Sequence, residues 1–143
     1  MSPINILLVE DNEGDILLTT EALTEGKIAN KVDVVKDGYE AILYLENKGR
    51  YVDAATPDLI LLDVNLPKLN GHEVLEKIKS KDQLKHLPVI MLSTSSSSED
   101  IMASYKNQVN CYITKPVEAE DFLRVISSIE QFWISVVKLP SSK

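Results

Sequence analysis

Leu59, Ile60, Leu61 and Leu62 form an unbroken aliphatic run that stops at an acid, Asp63, and a proline-containing loop, Val64-Asn65-Leu66-Pro67. A strand with one face in water alternates apolar and polar residues, so four consecutive aliphatic residues demand burial on both faces. That is the setting of a central strand in a parallel sheet covered by helices on each side. The rest of the chain repeats the pattern. Strand-like runs lie at 4–9, 32–35, 89–92 and 109–114. Helical spacing separates them: Ile16, Leu17, Ala22 and Leu23 before a stop at Gly26, then Ala41, Ile42 and Leu45, then Val74, Leu75 and Ile78, then a weaker stretch at 99–106. A last helix starts near Glu118 and carries Phe122, Val125, Ile126, Ile129, Trp133, Val136 and Val137. Five strands alternating with five helices imply an α/β sheet of βαβ units with right-handed crossovers. Such sheets bind ligands beyond the C-terminal strand ends, where the strand order reverses.

The chain's 143 residues suffice for one domain with a core, expected over 1–138 with a frayed tail at 139–143. A net charge of −7 argues against non-specific binding to nucleic acid or to an anionic membrane. The apolar runs are strand-length, too short to span a bilayer, and the first residues lack the pattern of a signal peptide. Cys111, the lone cysteine, has no internal disulfide partner. Together these point to a cytoplasmic protein.

The chemistry gathers at the strand ends. Glu10 and Asp11 close the first strand, Asp63 the third and Ser93 the fourth, and Lys115-Pro116 follows the fifth. A carboxylate attacks a phosphoryl group poorly, because both are negative. Magnesium removes that obstacle by bridging attacker and phosphoryl oxygens, and it requires oxygen ligands. Asp11 and Asp63 can each supply one, Glu10 can act through a water, and the Asn65 backbone carbonyl completes the set. Without a cation, each acid pair at ~5 Å and an effective dielectric of ~20 repels by roughly 3 kcal/mol. Lys115 is placed to pair with Asp63 or with phosphoryl oxygens, the Ser93 hydroxyl to donate to the phosphoryl group, and the Tyr112 ring to alternate between buried and exposed positions. Taken singly these residues are ordinary: acids at turns, a surface tyrosine, a flexible serine loop at 93–98. An acid directly after a doubly buried strand still needs a partner, and it is the joint occurrence in chain order that carries the reading.

With those residues in view, the chain resembles the receiver domains of two-component response regulators over nearly its whole length. The resemblance rests on the Glu10-Asp11 pair, the LILLDVNLP segment with Gly71 downstream, and the LPVIMLST and YITKP segments. The NCYITKP and FWISVVKLP stretches look closest to stand-alone regulators that partner cyanobacterial-type phytochrome kinases. The resemblance implies a flavodoxin-like, doubly wound sheet of strand order 2-1-3-4-5. It implies a phosphoryl group passed from a sensor histidine kinase to Asp63, magnesium held by Glu10, Asp11, Asp63 and the Asn65 carbonyl, and Lys115 binding the phosphoryl oxygens. Ser93 and Tyr112 would form the switch pair. Glu10 stands where aspartate is more frequent and Ser93 where threonine is commoner. Thr94 occupies a position often filled by a smaller residue, which is expected to narrow access to Asp63 and slow phosphoryl exchange. Val117 replaces a frequent aromatic.

The last helical stripe, 122–137, runs about 24 Å and outreaches the core of so small a domain. Phe132 and Trp133 on its second half therefore need a cover, expected to be a second copy in a homodimer. The chain has no basic helix-turn-helix stretch, so output is expected through protein contacts and not through nucleic acid. Two alternatives remain: a haloacid-dehalogenase-like phosphatase, and a pseudo-receiver that is never phosphorylated. The first needs an acid two residues after the nucleophile, where Asn65 stands. A calcium loop starting at Asp63 fails on Pro67 and Lys68. His72 and His86 are expected to be solvated.

Overall fold

The computed structural model describes residues 4–24 and 30–134. Its elements run β1 (Ile4–Val9), α1 (Glu13–Thr24), β2 (Asn30–Val35), α2 (Gly38–Leu45), β3 (Leu59–Leu62), α3 (Gly71–Ser80), β4 (Val89–Ser93), α4 (Ser98–Lys106), β5 (Cys111–Thr114) and α5 (Ala119–Ile129). A single 3-10 turn, Gly49–Tyr51, follows α2. The five strands form one parallel sheet in the order β2-β1-β3-β4-β5. Gly26, Val136, Val137 and the tail at 139–143 lie outside the described residues.

The period-two geometry of strands sorts the core into two layers. Leu7, Val9, Ile60, Leu62, Val89 and Met91 point to one face and pack with Ala41, Tyr44 and Leu45 of α2 and Val74, Leu75 and Ile78 of α3. Ile6, Leu8, Leu59, Leu61, Ile90 and Leu92 point to the other and pack with Leu23 of α1 and Phe122, Ile126 and Ile129 of α5. All four residues of β3 are fully buried, as an unalternated aliphatic strand requires. Helix α4 differs from the rest. It gives no apolar side chain to either cluster, its one buried residue is Ser104, and Met102 and Tyr105 face outward.

Local chemistry sets the boundaries. The Asn12 side chain accepts the Asp15 amide at 2.9 Å at the start of α1, which begins at Glu13. Asn70 and Glu73 form a reciprocal capping box at α3, and Asp37 and Ser97 cap α2 and α4. β5 begins at Cys111, not at Val109. Gln108 turns the chain with φ 67°, and the Val109 amide closes the end of α4 on the Ser104 carbonyl at 3.0 Å. Beyond Ile129 the last helix continues as a π-helical turn, Glu130–Ile134. There Trp133 packs against the α1/α5 cluster, while Phe132 is 55% exposed and meets the Trp133 ring edge-on at 5.9 Å.

Candidate functional site

The strand order reverses between β1 and β3, because the chain leaves β1 towards β2 and returns to β3 on the opposite side. Their C-terminal ends therefore diverge into a crevice. Glu10 and Asp63 follow directly on these two strands. The Glu10 amide donates to the Val35 carbonyl at 3.0 Å and the Asp63 amide to the Val9 carbonyl at 3.1 Å, extending the sheet by one bond each. Both side chains are buried, whereas Asp11 and Asn65 are exposed. One carboxylate oxygen from each of Glu10, Asp11 and Asp63 lies within 4.8 Å of the others. Three hard oxygen donors so close together fit a divalent cation that prefers oxygen. The Asn65 amide turns back to Asp63 Oδ1 at 3.4 Å.

Lys115 enters the same crevice from the far edge. Its backbone amide donates to the Ser93 carbonyl at 2.6 Å, carrying the β4–β5 pairing past Thr114. The Lys115–Pro116 peptide is trans. The buried ammonium pairs with Glu10 Oε1, with Asp15 Oδ2 at 3.0 Å and with Asp63 Oδ2 at 3.5 Å. Asp15 was not among the residues expected at the site. Its position in the first turn of α1, four residues after Asp11, was the available signal. Burial pushes the Glu10 carboxyl up to about 7; the Asp63 charge adds to this, and Lys115 opposes it. For Lys115, burial favours the neutral amine, but its bond to Glu10 and the charges of Asp63 and Glu10 outweigh burial and raise its pKa.

The remaining predicted residues lie on the β4–α4 side. Ser93 is fully buried, and its Oγ accepts the Ser95 amide at 3.1 Å. The half-buried Tyr112 donates its hydroxyl to the Ser95 carbonyl at 2.8 Å. The serine stretch is therefore tied down at Ser95 and is not a free loop. Thr94 is exposed directly after β4. His86 is exposed as expected, but His72 is not. Its Nε2 lies 3.1 Å from Asp100 Oδ1, because α3 brings it against the start of α4.

Gly71 shows how closely the loop after Asp63 is packed. A Cβ there would lie 2.2 Å from the Asp63 carbonyl oxygen and 2.7 Å from the Val64 Cα. Both are backbone atoms and have nowhere to retreat. Gly71→Ala is expected to lower stability by about 2 kcal/mol, the cost of overpacking at an unyielding contact. A urea titration monitored by circular dichroism would measure it, and an unchanged midpoint would show that the loop can shift.

Residues 6–127 of the chain match the model of the response regulator receiver domain. The chain is 42% identical over 140 residues to response regulator Rcp1 of Synechocystis sp., covering 98% of this chain and 95% of that protein. It is 38% identical over 141 residues to the probable methanogenesis regulatory protein FilR2 of Methanothrix harundinacea, covering 96% and 88%. Among solved structures, the phosphorylated cyanobacterial phytochrome response regulator RcpA superposes with a TM-score of 0.95 at 48% identity, over 98% of this chain and 100% of that one. The Mn(2+)-bound form of Rcp1 superposes with a TM-score of 0.94 at 42% identity, over 97% and 100%.

Proposed function

The chain belongs to the response regulator receiver domain family, and from that premise we propose that Asp63 accepts a phosphoryl group from the phosphohistidine of a sensor kinase. The observation that carries this reading is the convergence of Glu10, Asp11, Asp63 and Lys115 on one crevice. Asp63 is the nucleophile, buried enough to be shielded from bulk water and held by its backbone at the tip of β3. Bound at the three carboxylates, magnesium would neutralise the developing charge between attacker and phosphoryl oxygens. Lys115 stands by as the second cation, 3.5 Å from Asp63. Ser93 supplies the hydroxyl that reads the phosphoryl group, and Tyr112 reports the change to the α4–β5 surface. Asn65 stands two residues after Asp63, where an aspartate-nucleophile phosphatase carries its general acid, so no turnover of a separate phosphate ester is expected.

The kinase is read as phytochrome-type on the strength of the similarity to the cyanobacterial phytochrome response regulator RcpA. A cytoplasmic location and a domain over 1–138 belong to the same reading. Homodimerisation belongs to it too. An apolar groove of about 370 Å³, lined by Ile113, Val125, Ile129, Phe132 and Trp133, supports a self-association surface on β5 and α5. Among the described residues, no helix is long and apolar enough to cross a membrane.

Incubation with a small acyl-phosphate donor tests the central claim. One phosphoryl group should appear by intact mass with magnesium present and none with a chelator. Borohydride trapping should place the acyl phosphate at position 63. Label at another residue, or label that ignores the chelator, would overturn the assignment.

Metal affinity should also follow Glu10. Its folded-state pKa of about 7 exceeds the ordinary 4.5, so the metal-free fold favours the protonated form. That contribution to stability is complete below 4.5 and is lost as pH rises through about 7. Metal requires the ionised form, so its affinity runs the other way. It should fall about tenfold from pH 8 to pH 6, as protons compete for Glu10. Calorimetric titration at the two pH values measures this. Equal slopes for wild type and Glu10→Gln would detach the effect from Glu10.

A further inference from the structure

One polar chain links the start of α3 to the switch hydroxyl. His72 directly follows Gly71, whose amide donates to the Val64 carbonyl at 2.7 Å next to Asp63. His72 Nε2 meets Asp100 Oδ1 at 3.1 Å. The other Asp100 oxygen accepts the Ser95 hydroxyl at 2.5 Å. The Ser95 amide in turn donates to Ser93 Oγ at 3.1 Å, and the Ser95 carbonyl accepts the Tyr112 hydroxyl. Ser95 thus touches both members of the switch pair, and Asp100 holds Ser95.

The element this chain restrains has few apolar contacts to hold it. Helix α4 adds no apolar side chain to the two core clusters, so polar contacts such as this one contribute to its position against α3. Asp100 is held below the usual carboxylate range, first by the Ser95 hydroxyl and then by His72, as befits the charged acceptor at the centre of the chain. His72 Nδ1 is buried and meets no hydrogen-bond partner among the described residues. That unmet group costs free energy in the closed arrangement and keeps it from being a deep minimum. A contact strong enough to hold a loosely packed helix, yet burdened in this way, suits an element with two arrangements close in free energy.

We propose that His72 and Asp100 form a latch that positions Ser95, and through it the Ser93 hydroxyl, in the resting arrangement of the β4–α4 loop. Opening the latch lets the loop move towards the phosphoryl group and so favours phosphoryl acceptance. This rests on the assignment of Asp63 as acceptor. His72 and Asp100 are positioning residues; neither touches the phosphoryl group.

The test compares wild type, His72→Ala, Asp100→Ala, the double variant and His72→Gln, whose side-chain amide can replace the ring Nε2 donor. The rate of phosphoryl gain from a small acyl phosphate with magnesium is read by intact mass, and amide exchange over residues 94–97 by mass spectrometry. Each alanine variant should gain phosphoryl about threefold to fivefold faster than wild type, by shifting the loop population. The double variant should be no faster than the faster single, because both remove one contact. His72→Gln should return to the wild-type rate. Exchange at 94–97 should quicken in the alanine variants alone. Wild-type rates in both singles, multiplicative effects in the double, or His72→Gln matching His72→Ala would overturn the latch. If wild type itself gains no phosphoryl group, the Asp63 assignment fails instead. The exchange comparison then decides the latch: quickening in both alanine variants supports it, and unchanged exchange refutes it.

Discussion

Asp63→Asn should gain no phosphoryl group under conditions that fully label the wild type. The amide is nearly isosteric with the carboxylate, so the change removes the nucleophile and leaves the shape. A neutral amide oxygen has no charge to direct at phosphorus, and it is also a poorer ligand for the cation that masks the phosphoryl charge. The two losses compound, so the labelling rate should fall by at least about a thousandfold, as for other essential nucleophiles. The fold should survive. Removing one charge from the Glu10–Asp11–Asp63 group relieves repulsion of roughly 3 kcal/mol per pair at ~5 Å, offset in part by the lost attraction to Lys115 at 3.5 Å. A thermal midpoint at or above that of the wild type, with no mass gain, is therefore the expected pair of results. Labelling of the variant at a rate near that of wild type would mean that the acceptor lies elsewhere.

Lys115→Met should have two effects of opposite sign. The ammonium is buried among Glu10, Asp15 and Asp63, and its loss leaves those acids without their cation. Removing one partner of a buried ion pair costs about 3 kcal/mol or more. Glu10, already pushed up to about 7 by burial, would take up a proton more readily and recover part of that cost. The metal-free variant should therefore melt lower and depend more on pH near neutrality. Magnesium, however, would no longer share its carboxylates with a resident ammonium. Its affinity should rise about tenfold, and saturating metal should restore most of the lost stability through binding to the folded state. Thermal melts with and without magnesium separate the effects. A variant that melts lower but binds metal no more tightly would show that Lys115 supports the fold without competing for the acids.

The sheet was legible because strand and helix periods are local. Leu59 to Leu62 could be assigned a doubly buried strand from four residues, and the structure leaves all four fully buried. The cluster of Glu10, Asp11, Asp63 and Lys115 was legible because each lies at the end of an apolar run, and in a parallel sheet all such ends lie on one side. Asp15 escaped because it belongs to a helix, where an acid in the first turn is ordinary capping chemistry. The contact of His72 is not legible, because nothing near it in the chain announces Asp100, 28 residues away. β5 started two residues late because Gln108 adopts a left-handed backbone that its identity does not require.

By itself, then, the amino-acid order determined the α/β class, the strands and the acids at their tips, since each depends on neighbours a few residues apart. The tertiary structure alone decided which groups share a charge: Lys115 with Glu10 and Asp15, across 105 and 100 residues, and Asp100 with His72 and Ser95. Ion pairs and hydrogen bonds form only over a few ångströms, and chain separation carries no information about that distance until the sheet has closed.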